Sequence, residues 1–266
     1  MTAASSPGIP PAPTATPLCI ADDATFWPWR TWTDFARLSA AERAATTVLV
    51  PVAGFTDWGL GHPYDAEELV LMHLIRGAVE RRPATFHPLV VPPLRFVLGP
   101  YAQCAFAVEP PVAHALLREV AGSIHAAGFR RMIFINASPW NEELCSAASR
   151  DLRIEYGLQI FRINMSMFEL DFHPVRSQSR RQLQTLITAL TGRAPEALPA
   201  PDSAPAAWGE EKIRPLAGPA LAVEAALAEA GPILAAAASR LAGLFGEIAA
   251  HPPLARDGLL INQTVP

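Results

Sequence analysis

The 266-residue chain has almost no lysine: Lys212 stands alone against 20 arginines. No run of arginines accompanies that bias, and the net charge is −4. A protein that coats nucleic acid needs a basic face, so that class is excluded. Cysteine is scarce as well. The three cysteines, Cys19, Cys104 and Cys145, are odd in number and never stand two residues apart. A fully paired disulfide framework, a zinc knuckle and a C-x-x-C redox pair are therefore excluded. No 18 consecutive apolar residues occur. The most apolar stretch, 221–250, is interrupted by Glu224, Glu229, Gly231, Pro232 and Arg240. It reads as packed helices, and no membrane partner is expected. No basic segment followed by an apolar run opens the chain, so a cytoplasmic location is expected. Neither G-x-x-x-x-G-K-[ST] nor G-x-G-x-x-G after a strand is present, which removes the common nucleotide folds.

What is present is apolar and patterned. Half of the residues are hydrophobic and 17% are charged, ample for a large core and unlike a disordered chain. Residues 1–22, rich in Ala, Pro, Ser and Thr, read as a disordered or loosely docked tail. Beyond them, short apolar runs alternate with helix-period segments. Strands are expected at 46–52, 88–92, 131–136 and 158–163. Helices are expected at 33–45, at 65–82 with Pro83 as the stop, and at 110–127, 140–153 and 177–190. Residues 192–219 form an Ala/Pro-rich insertion. Strand–helix alternation of this kind builds parallel β-α-β crossovers, hence an α/β fold with a sheet between two helix layers. Ligands of such sheets bind outside the carboxyl ends of the strands. The loops after Val52, Val91 and Ile135 should therefore share one mouth.

Two of these loops carry polar chemistry. The first places Asp57, His62, Asp65, Glu67 and Glu68 within twelve residues. The third carries Asn136, Ser138, Asn141 and Glu142. Here the sequence resembles the creatininase family. Its members end a strand in P-V-G-S, continue with E-Q-H-G-P-H-L-P-x-x-T-D, and later carry G-x-R-x-I-x-x-x-N-G-H-G-G-N. Pro51, Val52 and Gly54 match the strand end. His62 and Pro63 stand near H-L-P, and Asp65 near the terminal Asp. Gly128, Phe129, Arg130, Arg131, Ile133 and Asn136 resemble the lead into N-G-H-G-G-N. Val91 to Leu94 is similar to a family V-L-P-P-L strand, and Glu224 to Ile248 to its last helix.

The resemblance implies a three-layer α/β/α domain spanning 23–266, and a hydrolase that cleaves C–N bonds in small amides or cyclic amides with two divalent metals. It also implies a homo-oligomer, often a hexamer, acting on a small molecule. The chain departs from the family at the ligands. With one inserted residue, Asp57 replaces the first Glu and Gly59 the first His. Without it, Thr56 and Trp58 fall there. Ser138 takes the His position of N-G-H-G-G-N, and the family's H-A-G-E has only His173 nearby. Asp57 and Asp65 are left as candidate ligands for Zn²⁺, Mn²⁺ or Mg²⁺, held more weakly than in the family or not at all.

Each candidate also has a plain structural reading. Asp65 is a good helix N-cap. Asp57 can hold a turn through an Asx hydrogen bond. Glu67 and Glu68 read as a solvated first helical turn. His62, the versatile imidazole of the mouth, and Ser138 are the catalytic candidates. Ser138 before Pro139 is equally suited to capping a helix. Trp58, Tyr64, Trp140 and Asn141 are the candidate ligand-binding residues, the aromatics either lining a pocket or filling the cavity. The expected function is thus a divergent creatininase-like hydrolase with an eroded metal site. The alternative is a non-catalytic relative that binds a ligand or a partner.

Overall fold

The computed structural model describes residues 25–99, 104–173, 176–197, 216 and 221–252. The expected tail at 1–22, Cys19 and most of 192–219 lie outside the described residues. Two short helices come first, α1 (Trp32–Arg37) and α2 (Ala40–Ala45). One continuous helix was expected here. Thr31 and Ser39 each form a capping box, with Asp34 and Glu42, and the second box starts a new helix. Strand β1 (Thr46–Ala53) follows, then the two-residue β2 (Phe55–Thr56) and helix α3 (Ala66–Glu80). Strand β3 (His87–Val90) is followed by short β4 (Leu94–Arg95), β5 (Val97–Leu98), β6 (Cys104–Ala105) and β7 (Ala107–Val108). Then come α4 (Pro110–Ala126), β8 (Arg131–Asn136), α5 (Glu142–Tyr156), β9 (Gln159–Asn164), α6 (Arg180–Thr191) and α7 (Val223–Ala250).

The main sheet runs β3-β1-β8-β9, with β4 also paired to β1. Every pairing in it is parallel. Parallel sheets are covered on both faces, and the side chains divide accordingly. Leu49, Ala53, Ile133, Ile135 and Ile163 pack under α3, α6 and α7. Val48, Val50, Val52, Met132, Phe134 and Ile160 pack under α4 and α5. The segment expected to be several packed helices is one helix, α7, with Pro232 inside it. By length and composition alone it could cross a membrane, and here it packs against α3 and α6.

The strand order fixes the site. From β1 the chain steps to β3 on one side and later to β8 and β9 on the other. The order therefore reverses between β1 and β8, where an open α/β sheet leaves a crevice at the carboxyl ends of its strands. Gly54 and Ser138 follow those two ends.

Candidate functional site

Helix α3 begins beside that crevice and turns the chain's acidic cluster into it. Glu67, Val70, Leu71, Leu74 and Ala78 follow the spacing of one helical face, and all are buried. Glu67 is wholly enclosed. The expectation of a solvated first turn is corrected here: position 67 lies on the apolar stripe, so its side chain goes inward. Oε2 of Glu67 accepts the Gly54 backbone N–H at 2.6 Å, and Oε1 accepts the Trp58 indole N–H at 3.0 Å. A methyl group added to Gly54 would come within 3.2 Å of Glu67 Oε2 and 3.3 Å of Ser138 Oγ. The Ser138 hydroxyl is fully buried and hydrogen-bonds to the same carboxyl group. Burial pushes the Glu67 carboxyl up to about 7, against the pull of Gly54, Trp58 and then Ser138. No charged side chain is among the causes of that shift.

Glu68 is also buried, facing another way. Both its oxygens meet Arg95 of β4, at 2.6 and 2.8 Å. This bidentate pair ties the first turn of α3 to the sheet edge.

An aromatic layer is built on Trp58, the indole that bonds Glu67. The rings of Trp58 and Trp140 stack at 5.7 Å with 19° between their planes, and Phe172 lies 5.7 Å from Trp58. His173 lies against Trp140. Of the two readings open for these aromatics, the structure takes the filled one at Trp58, which is 3% exposed. Arg180 of α6 donates to the Trp58 carbonyl at 2.7 Å, holding the loop down. Tyr64 points outward and is not part of the layer.

The other candidates have the following neighbours. Asn141 is buried and clamps the β4–β5 segment, donating to Phe96 O at 2.8 Å and accepting from Leu98 N at 3.1 Å. Ser138 precedes a 3₁₀ turn, with Pro139 in its first position, but its hydroxyl forms no cap. Its amide is held by Asn136 Oδ1. Asp57 Oδ1 accepts from Gly59 N at 2.9 Å, the Asx turn anticipated as its plain reading. His62 shares a 3.0 Å hydrogen bond with Thr188 of α6, and burial drives its pKa down to about 4. Asp65 precedes α3, but its side chain makes no capping bond. Burial raises its pKa.

In the register without an insertion, Trp58 occupies the position of the first histidine ligand. Counting on from Pro63 in that register, the terminal Asp of the family motif falls on Glu67, not on Asp65. Ser138 occupies the histidine position of the second motif. Three positions that carry ligands in the family motifs thus meet in space as an indole, a carboxyl group and a hydroxyl. Glu67 was the residue missed in the sequence. Two signals mark it there: its place four residues after Pro63 and its place on the apolar stripe of α3.

These residues do not fit a pair of divalent cations. Each Glu67 oxygen already faces an N–H, a donor that repels a cation. Tryptophan offers no lone pair, and a neutral hydroxyl is a poor ligand. Among the described residues, no three His, Cys, Asp or Glu side chains converge.

Comparison with known proteins places the chain. No curated protein matches it in sequence. Three solved structures share its fold, each at 16% identity, covering 86% of this chain and all of the other. They are a creatininase with Mn, TM-score 0.60, a glutamate-to-glutamine mutant creatininase of Zn–Zn type, 0.61, and such a mutant complexed with creatine, 0.60. The family model for creatininase, described as creatinine amidohydrolase, matches residues 30–197, more than half of the chain. The chain belongs to the creatininase family.

Proposed function

We propose that this protein is a non-catalytic member of the family, a subunit that keeps the amidohydrolase fold and serves in assembly and partner binding. One observation carries the reading: the carboxyl group at the centre of the mouth is wholly enclosed, with both oxygens engaged by N–H donors under the Trp58–Trp140 stack. A substrate needs an open concave space with polar groups turned towards it. Large exposed side chains lie elsewhere. Trp32 is 84% exposed and Phe106 75%, the latter with a left-handed φ of 56°. A homo-oligomer, the hexamer that the family resemblance implies, is the assembly proposed.

The test is hydrolysis of creatinine and small cyclic amides by untagged protein supplied with Zn²⁺ or Mn²⁺. No turnover above a Glu67→Ala control is expected. Turnover that the control lacks overturns the reading. Light scattering after size exclusion should show an assembly, and a stable monomer overturns that part.

A second reading is favoured by one feature. The Glu67 pKa near 7 lies where a carboxyl group transfers protons best. On that reading the chain cleaves a C–N bond of a small amide, and the aromatic layer must open to admit it. The same assay decides between the two.

A further inference from the structure

We propose that Glu67, Trp58, Gly54 and Ser138 form a hydrogen-bonded plug that stands where the family motifs place metal ligands, and that this plug shuts divalent cations out. The proposal deepens the non-catalytic reading and rests on it in denying a two-metal centre.

The hydrogen-bond inventory carries the argument. A carboxylate only accepts, and here its oxygens accept from Gly54 N at 2.6 Å and Trp58 Nε1 at 3.0 Å. The Ser138 hydroxyl, fully buried, brings its own proton and hydrogen-bonds to the same carboxyl group, lowering its pKa as Gly54 and Trp58 do. Three donors thus converge on the Glu67 oxygens and occupy them without a cation.

The surroundings agree. The charged groups near the mouth are engaged elsewhere: Glu68 with Arg95, Arg180 with the Trp58 carbonyl, and Arg176 with Glu142 and Asp171. His62 is bonded to Thr188. The 2.6 Å approach of Gly54 also leaves no space for an ion between carboxyl and backbone.

The plug makes a reversible prediction. Restoring imidazole at both altered positions should convert it to a metal site. The experiment dialyses the wild-type protein and Trp58→His/Ser138→His against Zn²⁺ and Mn²⁺ and measures metal per chain by plasma mass spectrometry. A chelator competition then gives the affinities. The wild type is expected to retain far less than about one ion per chain, and the double variant to bind at least about tenfold more tightly. Adding Glu67→Gln should abolish that gain. Near one ion per wild-type chain, released by Glu67→Gln, overturns the proposal. So does a folded double variant that binds no better than wild type.

Should the double variant fail to fold, the wild type alone decides: far less than about one ion per chain, unchanged in Glu67→Gln, supports the plug, and near one ion per chain overturns it. The two proposals fail separately. Hydrolysis without bound metal removes the non-catalytic reading and leaves the plug. Bound metal without hydrolysis does the reverse.

Discussion

The centre of the mouth and its rim handle acidic residues in opposite ways. At the centre, Glu67 meets neutral donors in a dry aromatic enclosure, and its carboxyl is driven towards the protonated form. At the rim, Glu68 meets Arg95, and Glu142 and Asp171 meet Arg176. Both arginines keep contact with water, with side chains 45% and 44% exposed. Charge is kept where water can still solvate one partner, and ionisation is resisted where it cannot. Two neighbouring glutamates on one helical turn thus serve opposite ends, one as a buried hydrogen-bonding hub and the other as an ionic clamp.

The largest effect should come from breaking the enclosure at the centre. Trp58→Ala removes the stack on Trp140, the contact with Phe172 and the indole donor to Glu67. The loss should be about 3–5 kcal/mol, the usual cost of truncating a large buried aromatic. Urea unfolding measures it. A loss below about 1 kcal/mol would mean that the site relaxes and that the enclosure is loose.

The pH dependence comes next. Glu67 ionises near 4.5 when unfolded and near 7 when folded, so the folded state keeps the proton longer. Its share of stability is whole below about pH 4.5 and is lost as pH rises through about 7, on the order of 3 kcal/mol. His62 runs the other way. Its pKa falls from 6.5 to about 4, so its share is whole above 6.5 and is lost as pH falls through about 4. Between these limits the two slopes oppose each other. Glu67→Gln should uncover the histidine slope, leaving a protein that weakens on acidification. His62→Gln should uncover the glutamate slope, leaving one that weakens as pH rises towards 7. Unfolding series across pH for both variants check this. Parallel curves for the two would break the contrast.

At the rim the expected effect is smaller. Arg95→Ala strands a buried carboxylate, but the vacated space opens to solvent, since Arg95 is half exposed. A loss of about 1–2 kcal/mol is expected, between the figures for exposed and buried pairs. Urea unfolding beside wild type measures it. A loss as large as that of Trp58→Ala would place Arg95 among the packing residues.

Much of the fold is legible in the sequence, and less of the site. Strands such as Arg131–Asn136 are short apolar runs between a glycine and a polar turn, and a buried parallel strand has few other ways to look. Helix ends are legible where one residue type decides them, as at Gly128, whose φ of +91° ends the turn after α4. The break at Ser39 is harder to see, because a capping box inside a helix-period run resembles an ordinary polar face. Glu67 is concealed differently. A glutamate in the first turn of a helix is usually solvated, and it complements the dipole there. Its burial follows from tertiary packing, from Trp58 and Gly54 closing over it. Spacing along one chain registers that only through the apolar stripe at 70, 71 and 74. The tasks of His62 and Asn141 are less visible still, since their partners Thr188 and Phe96 lie 126 and 45 residues away.

The smallest effect should come from charge with no enclosure at all. Arg118 of α4 and Glu155 of α5 form an ion pair at 2.6 Å on the outer helix layer. The pair resembles Glu68–Arg95 in its short distances, so a count of salt bridges would weigh them alike. Their surroundings separate them. Arg118 is solvated, and fixing two long side chains in one geometry costs about as much as their screened attraction returns. Arg118→Ala should therefore leave the urea midpoint unchanged within error, at low and at high salt. Arg95→Ala should shift it in both. Equal shifts for the two variants would show that burial of the carboxylate, and with it the division between centre and rim, does not set the worth of a charge in this protein.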